Sequence, residues 1–241
     1  MHHPRIVIIT AIKSEFEAVG AALPQSARDE GVLVRGGVGP EVAARALRIV
    51  LESSNPPRLI CTTGFCGGLK DGLEVGDVVL ADALLDGRSA PEQAIKIETT
   101  LVEKLAATLN VRQIRHSIGS MISTPSIVTR CENKRALAAT SGAIAVDMES
   151  FALAANLNSR ITRLCALRVV SDSVTDELPP EVISFLNSNG DVNTANVARF
   201  GLRSLRNMKI LWDLKGRSDK AATALTAAWR NVWPTFEKEE F

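Results

Sequence analysis

The sequence predicts an α/β protein, a three-layer αβα sandwich around a central mixed sheet. Short apolar, β-branched segments alternate with segments of helical periodicity, which is typical of strands connected by crossover helices. The chain has 241 residues and 46% of them are hydrophobic, which is enough to bury a large core. It contains no internal repeat and no low-complexity linker. We therefore expect one domain over residues 1–241, with a basic, Trp-bearing helical extension from about residue 209 to 241.

The predicted elements follow in order along the chain. Strands are expected at Arg5–Thr10, Gly31–Arg35, Arg58–Thr63, Asp77–Ala83, Val111–Ser123, Gly142–Val146 and Thr162–Ser171. Helices are expected at Ser14–Ala22, Pro40–Ser53, Thr99–Leu109, Glu132–Thr140, Met148–Leu157, Pro180–Asn187, Thr194–Asn207 and Ser218–Trp233. The helix from Pro40 is the clearest, because proline occupies its first turn and a broad apolar stripe follows.

Composition and charge exclude several classes of protein. The formal net charge of +1 gives no basis for nucleic acid as a partner, since phosphate backbones are normally bound by a clear basic excess. The four cysteines show neither metal-ligand spacing nor a disulfide framework, which favours a reducing compartment. No signal peptide or membrane span is apparent. The sequence therefore predicts a cytoplasmic protein without a metal or cofactor.

Glycine clusters follow three of the predicted strands, at 36–39, 64–68 and Gly76. Glycines after a strand let the backbone approach a ligand, although tight turns are the simpler interpretation of any one cluster. The first cluster resembles a dinucleotide-binding fingerprint. However, Val42 stands where a third small residue is needed, and no suitably placed acidic residue follows. An NAD-dependent oxidoreductase is therefore disfavoured.

Carboxylates at the ends of two neighbouring strands are the stronger signal. Asp147 and Glu149 follow one strand, and Asp172 ends the next. In α/β sheets such residues point into the crevice where ligands bind. Glycoside cleavage needs one carboxylate to hold sugar hydroxyls and one carboxylic acid to protonate the leaving group. Helix capping is the alternative, with Asp147 as the cap and Glu149 in the first turn.

Together these segments resemble the purine nucleoside phosphorylase and methylthioadenosine/adenosylhomocysteine nucleosidase superfamily. The matching pieces occur in the family's order over roughly residues 5–210: 8–12 with Glu15, 37–39, 63–69, 75–79, 145–149 and 168–172. The set of Asp-Met-Glu followed by Ser-Asp is the most specific. A short substrate loop and a basic C-terminal extension look most like the hopanoid-associated phosphorylases, which are thought to remove adenine from adenosylhopane.

The resemblance implies a role for each site residue in the release of adenine. Glu149 would accept hydrogen bonds from the ribose hydroxyls, above Met148. Asp172, held by Ser171, would protonate adenine N7, which requires a pKa raised by burial and by neighbouring carboxylates. The base edge would be read by Val128, with Phe65 and Ile127 beside it. The remaining substrate-binding residues implied are Asp147, Gly67 and Arg168.

The nucleophile is either water or phosphate. Phosphorylases of this superfamily carry arginines where this chain has Glu15 and Thr62, and a serine where it has Phe65, so a phosphate here would be poorly neutralised. In the nucleosidases the position of Glu15 holds a glutamate that activates water, which favours hydrolysis. Phosphorolysis stays open because Arg35 or Arg168 could supply a cation. A solvated first-turn acid is the alternative for Glu15.

Two further features concern the 5' substituent and the partners. The loop after the Val-Gly-Asp strand is shortened to Asp82–Pro91, which suggests an open 5' pocket. The segment Arg199–Lys220 has seven basic and two acidic residues. Packing on its own domain or on a partner is favoured, and contact with an anionic membrane is the alternative. The resemblance also implies a homo-oligomer such as a homodimer. The alternative that is not an enzyme is a nucleoside-binding module without catalytic activity.

Overall fold

The computed structural model describes residues 6–29, 32–52, 56–88, 93–158, 161–187 and 189–238. Within these ranges eight strands form one mixed sheet. They are β1 (Ile6–Thr10), β2 (Leu33–Arg35), β3 (Leu59–Gly68), β4 (Val78–Asp86), β5 (Ile95–Lys96), β6 (His116–Ser123), β7 (Ala145–Asp147) and β8 (Arg163–Asp172). The predicted α/β class with a mixed sheet is confirmed. The predicted ends at Arg5, Gly31, Ser53 and Pro91, and the last three residues, lie outside the described residues.

The sheet partly closes on itself. Its order is β2-β1-β3-β7-β6-β4-β5, and β8 pairs with β3 in parallel and with β4 in antiparallel orientation. β3, β7, β6, β4 and β8 therefore form a ring of paired strands. β3 also pairs with β7 in antiparallel orientation at Gly67 and Gly68. This closure brings the ends of β3, β7 and β8 together.

Helices cover the sheet and supply much of the core. Their bounds are α1 (Lys13–Gly20), α2 (Gln25–Asp29), α3 (Pro40–Leu51), α4 (Thr99–Val111), α5 (Cys131–Ser141), α6 (Ser150–Ala155), α7 (Thr194–Gly201) and α8 (Leu205–Lys238). A 3-10 helix spans Pro180–Phe185, where an α-helix was predicted. None of the helices in the described ranges is both long and apolar enough to cross a bilayer.

Two differences from the predicted elements have a clear physical cause. The glycines after Thr63 belong to β3 itself rather than to a turn, because β8 pairs with β3 along Leu59–Gly67. The strand predicted from Val111 begins only at His116. α4 ends at Val111, and Gln113 takes a left-handed backbone conformation (φ 56°) that turns the chain before β6.

The C-terminal segment is one helix of 34 residues, not a helix beginning at Ser218. Its second half packs into the main core through Ala221, Leu225, Ala228, Trp229, Val232, Trp233 and Phe236. Trp229 is fully buried, and its Nε1 donates a hydrogen bond to Oγ1 of Thr63 in β3 at 2.8 Å. Its first half, from Leu205 to about Arg217, is mostly exposed. The two halves of α8 therefore have different surroundings.

Candidate active site

A cavity of about 380 Å³ opens at the carboxyl ends of β1, β7 and β8 and beside the last part of β3. Loops that leave parallel strands at one edge of a sheet are the usual location of ligand sites in α/β proteins. The cavity is lined by ten of the eleven predicted site residues: Glu15, Phe65, Gly67, Ile127, Val128, Asp147, Met148, Glu149, Ser171 and Asp172. The fold thus brings residues separated by up to 157 positions into one pocket.

Glu15 is held by backbone amides at the floor of the cavity. The amides of Ala11 (2.9 Å) and Ile12 (3.1 Å) donate to its Oε2, and that of Phe65 donates to Oε1 at 2.7 Å. Its side chain closes the first turn of α1, yet the residue is only 3% exposed. The alternative of a solvated acid is therefore wrong. Burial raises the pKa of Glu15, although the charge of Arg168 and the amide hydrogen bonds oppose the shift.

Gly64 allows this placement of Glu15. A Cβ atom at position 64 would lie 2.3 Å from Oε1 of Glu15, and the backbone there has a φ of +146°. Gly67 has a related function near the acid at position 172, because its Cβ would lie 3.2 Å from Oδ2 of Asp172. The glycines of β3 therefore make room for carboxyl groups.

Glu149 lies at the start of α6, with its carboxylate directed at the loop before α3. The amide of Gly39 donates to Oε1 at 2.8 Å, and an Arg168 nitrogen lies 3.8 Å from Oε2. Gly39 has a φ of +96°, a conformation that favours glycine. Burial raises the pKa of Glu149 to about 7; Arg168 lowers it and Asp147 raises it further. The protonation of Glu149 therefore changes near neutral pH.

Asp147 and Arg168 form a buried ion pair behind the cavity. An Arg168 nitrogen lies 2.7 Å from Oδ2 of Asp147 and 3.0 Å from the hydroxyl oxygens of Thr62 and Ser150. The same Oδ2 accepts a hydrogen bond from the amide of Ser150, the first residue of α6, at 3.1 Å. The N-cap of α6 is Glu149 and Asp147 ends β7, so the alternative with Asp147 as the cap and Glu149 in the first turn is wrong. Oδ1 accepts from Ser123 at 2.5 Å. The carboxylate of Asp147 is thus engaged within the protein.

Arg168 is the one predicted site residue that does not line the main cavity. It borders a small neighbouring void together with Thr62 and Glu149, and it is 1% exposed. Its Nε has no hydrogen-bond partner among the described residues. Arg35, the other cation considered for a phosphate, instead pairs with Asp191 at 2.6 Å. Both arginines therefore already have carboxylate partners.

Asp172 has a charged partner that the sequence analysis did not find. Ser171 donates to Oδ1 at 2.8 Å, as expected, but the ammonium of Lys134 lies 2.5 Å from Oδ2. The carboxylates expected beside Asp172 are thus replaced by a cation in direct contact. Lys134 lies on α5 and is fully buried, whereas the other residues of that helix are exposed or only partly buried, so the sequence gives no signal for its burial.

The outer part of the cavity is mostly apolar. Its apolar lining residues come from the segment between β8 and α8 and from α8 itself: Leu178, Val182, Phe185, Leu186, Val192, Val197 and Leu214. Lys215, Arg217 and Ser218 of α8 also line it. The turn around Gly190 attaches this segment to the inner site, because its carbonyl accepts a hydrogen bond from the amide of Lys13. The sequence analysis did not assign these residues to the site. Among the described residues, no group of three His, Cys, Asp or Glu side chains is arranged to hold a metal ion.

The family model of the phosphorylase superfamily matches residues 5–206. Among curated proteins, a 5'-methylthioadenosine/S-adenosylhomocysteine nucleosidase of Staphylococcus aureus (strain MRSA252) is 26% identical over 171 residues. The match covers 65% of this chain and 75% of the relative.

Solved structures of similar fold cover nearly the whole chain. Futalosine hydrolase of Helicobacter pylori strain 26695 superposes with a TM-score of 0.69 at 16% identity, covering 95% of this chain and 97% of that chain. The 5'-methylthioadenosine/S-adenosylhomocysteine nucleosidase of Neisseria meningitidis in complex with methylthio-immucillin-A gives a TM-score of 0.65 at 19% identity, covering 93% and 98%. At these identities the likeness shows the fold.

Proposed function

This chain belongs to the phosphorylase superfamily, and on that premise we propose that it cleaves the N-ribosidic bond of an adenine nucleoside. The observation that carries the proposal is the convergence of three carboxyl groups, those of Glu15, Glu149 and Asp172, in one cavity. Cleavage of this bond makes the sugar cationic while the base departs with the electron pair of the broken bond. Carboxyl groups on both sides of the reacting bond stabilise both changes.

Each carboxyl group has its own role in this mechanism. Glu149 accepts hydrogen bonds from the ribose hydroxyls and stabilises positive charge on the sugar ring. Met148 packs beneath the sugar. Asp172, oriented by Ser171, donates a proton to adenine N7, so that the base leaves as a neutral molecule. Phe65, Ile127 and Val128 surround the base.

Water is the proposed nucleophile. Glu15 faces the cavity and is positioned by three backbone amides, so it can accept the proton of an attacking water molecule. A phosphate bound at the same place would be repelled by the negative charge of this carboxylate. Arg168 and Arg35, which would have to neutralise the phosphate, are paired with Asp147 and Asp191. Phosphorolysis to adenine and ribose 1-phosphate is therefore the second candidate.

An apolar 5' substituent is the proposed distinguishing feature of the substrate. Support comes from the apolar outer cavity, which continues from the inner site towards Leu214. The similar proteins named above include nucleosidases of 5'-methylthioadenosine. Adenosylhopane, suggested by the resemblance to hopanoid-associated phosphorylases, is a larger candidate of the same kind.

The reaction is tested by incubating the protein with adenosine and with adenosines that carry 5' alkylthio groups of increasing length, with and without phosphate. We expect adenine and the free sugar without phosphate, and a kcat/KM that rises with the length of the apolar group. Formation of a sugar 1-phosphate, with little turnover in phosphate-free buffer, would establish phosphorolysis. Tight nucleoside binding without release of base would identify a non-catalytic binding module.

The exposed half of α8 and the segment before it form the proposed membrane-facing surface. Six of the ten large hydrophobic residues exposed in the described ranges lie between 183 and 212, namely Ile183, Val192, Leu202, Leu205, Met208 and Trp212. The surrounding segment 199–220 has five more basic than acidic residues, whereas the whole chain has a net charge of +1. A basic surface with exposed apolar side chains is complementary to an anionic bilayer.

Binding to vesicles of phosphatidylserine and phosphatidylcholine tests this surface. We expect Leu205→Ser with Trp212→Ser to weaken sedimentation with anionic vesicles at least tenfold, whereas Ile49→Ser with Val111→Ser, exposed elsewhere, leaves it unchanged. If the first pair instead dissociates an oligomer in light scattering, the surface contacts a second copy. We also propose that the protein is a homodimer. A cytoplasmic location is proposed as well, because the four free cysteines fit a reducing compartment.

A further inference from the structure

Lys134 is a buried cation at the edge of the active site. It is 0% exposed, and each of its three N–H groups has an acceptor: Oδ2 of Asp172 at 2.5 Å and the carbonyls of Ser173 at 2.7 Å and Asp176 at 2.9 Å. An ammonium group has three donors and no acceptor, so this arrangement satisfies it completely. The geometry therefore corresponds to a charged lysine paired with a charged Asp172.

Packing alone does not account for a lysine at this position. It is the only buried residue of α5, and its neighbours along the helix are polar or partly exposed. Burying an ammonium is costly unless its charge is paired, and an apolar residue fills space without that cost. The pair instead leaves Asp172 without a proton of its own. An acid at adenine N7 then needs a nearby proton source.

We propose that Lys134 is the positioning residue that supplies this proton to Asp172. The inference rests on the proposed function, because it concerns how the leaving base is protonated. The ammonium passes a proton to the carboxylate, which leaves a neutral amine beside a neutral acid. As the bond between the sugar and N9 breaks, its electron pair leaves with the adenine, and Asp172 gives its proton to N7. Water adds to the sugar and releases one proton to Glu15. Glu15 then gives this proton to solvent and the amine of Lys134 takes one from solvent, so both groups return to their starting states.

The charged surroundings of the pair are compatible with this transfer. Asp176 follows β8 and is paired with Arg217 of α8 at 3.2 Å, so its charge is balanced. From β3, the thiol of Cys66 interacts electrostatically with Asp172, and burial raises the pKa of this thiol, which keeps it neutral. On the far side, the carboxylates of Asp147, Glu149 and Glu15 share the positive charge of Arg168. Lys134 is thus the cation in contact with Asp172.

The test compares two leaving groups. Adenine needs a proton at N7, whereas a purine methylated at N7 carries a positive charge and leaves without one. We expect Lys134→Met to lower kcat for adenosine about 100-fold, in the range of general acid catalysis, and to leave kcat for the N7-methylated nucleoside within threefold of wild type. Asp172→Asn should behave in the same way. Arg135→Met, on the exposed face of α5, is the matched control.

A double variant separates the proposed role from a folding defect. If Lys134→Met leaves Asp172 unpaired and unfolds the protein, Lys134→Met with Asp172→Asn removes both charges and should fold. In the Asp172→Asn background the lysine substitution should cost no further activity, because Lys134 acts through Asp172. Lys134→Arg keeps the charge, but its guanidinium does not release a proton, so it should not restore kcat.

Equal losses on both nucleosides, additive losses in the double variant, or full activity of Lys134→Met on adenosine would each overturn the role of Lys134. Failure of the proposed function looks different, because the wild-type protein would then release base from neither nucleoside. Circular dichroism of every variant, recorded beside the wild type, shows whether a loss on both substrates comes from unfolding. The role of Lys134 and the proposed function are therefore tested by different results.

Discussion

The amide of Phe65 donates a hydrogen bond to the carboxylate of Glu15 at 2.7 Å, although 50 positions separate the two residues. This contact connects the first turn of α1 to β3 at the floor of the cavity. It depends on the residue before Phe65, because any side chain at Gly64 would occupy the space of the Glu15 carboxylate. The proposed water-activating group is therefore placed by a glycine.

Gly64→Ala should displace Glu15 and lower the rate of adenine release at least ~10-fold. The added Cβ would lie 2.3 Å from Oε1, and the φ of +146° adds backbone strain. Gly72→Ala is the matched control, since Gly72 also has a positive φ, +87°, but no atom lies within 4 Å of the place its new methyl group would take. Steady-state kinetics check the activities. Equal rates for the two variants would show that the rate of adenine release does not depend on the position of Glu15.

The pH dependence of stability should reflect Glu149. Burial raises its pKa from 4.5 to about 7, so the folded protein retains a proton that the unfolded chain loses. This contribution is fully present below pH 4.5 and is lost as the pH rises through about 7. Glu149→Gln should therefore reduce the fall in the free energy of unfolding across this interval. Urea denaturation at several pH values checks it, with the exposed Glu103→Gln as control. An unchanged slope in Glu149→Gln would contradict the prediction.

Arg168→Met should destabilise the protein by about 3 to 5 kcal/mol, because it leaves the buried Asp147 carboxylate without its cation. Arg130→Met removes the exposed ion pair with Glu132 and should change stability by less than about 1 kcal/mol. Thermal and urea denaturation measure both variants. A small effect of Arg168→Met would mean that the ion pair contributes little to the folded state.

Trp229→Ala should cost about 3 to 5 kcal/mol, as expected for an aromatic residue removed from a close-packed core. Trp229 is fully buried and donates to Thr63, whereas Trp212 on the same helix is 75% exposed. Trp212→Ala should therefore leave the free energy of unfolding nearly unchanged. If the two substitutions had equal effects in urea denaturation, the second half of α8 would not be part of the core.

The sequence predicted the acidic residues of the site more reliably than their partners. Asp147, Glu149 and Asp172 were recognisable because carboxylates that end strands stand out against apolar segments. Lys134 was not, since a lysine in a polar helix has the same local pattern whether it is buried or exposed. The apolar residues 178–197 were missed for a similar reason, because local periodicity does not tell which cavity a side chain lines.

By itself, the sequence determined the α/β class, the family resemblance and the ten predicted site residues that line the cavity, because these follow from local pattern and ordered motifs. Only the tertiary structure decided which charged side chains form ion pairs. The pairing of Lys134 with Asp172 depends on packing of α5 against the end of β8, and that of Arg168 with Asp147 depends on the closure of the sheet. Contacts between residues distant in the chain are set by the packing of whole elements, which no local pattern contains.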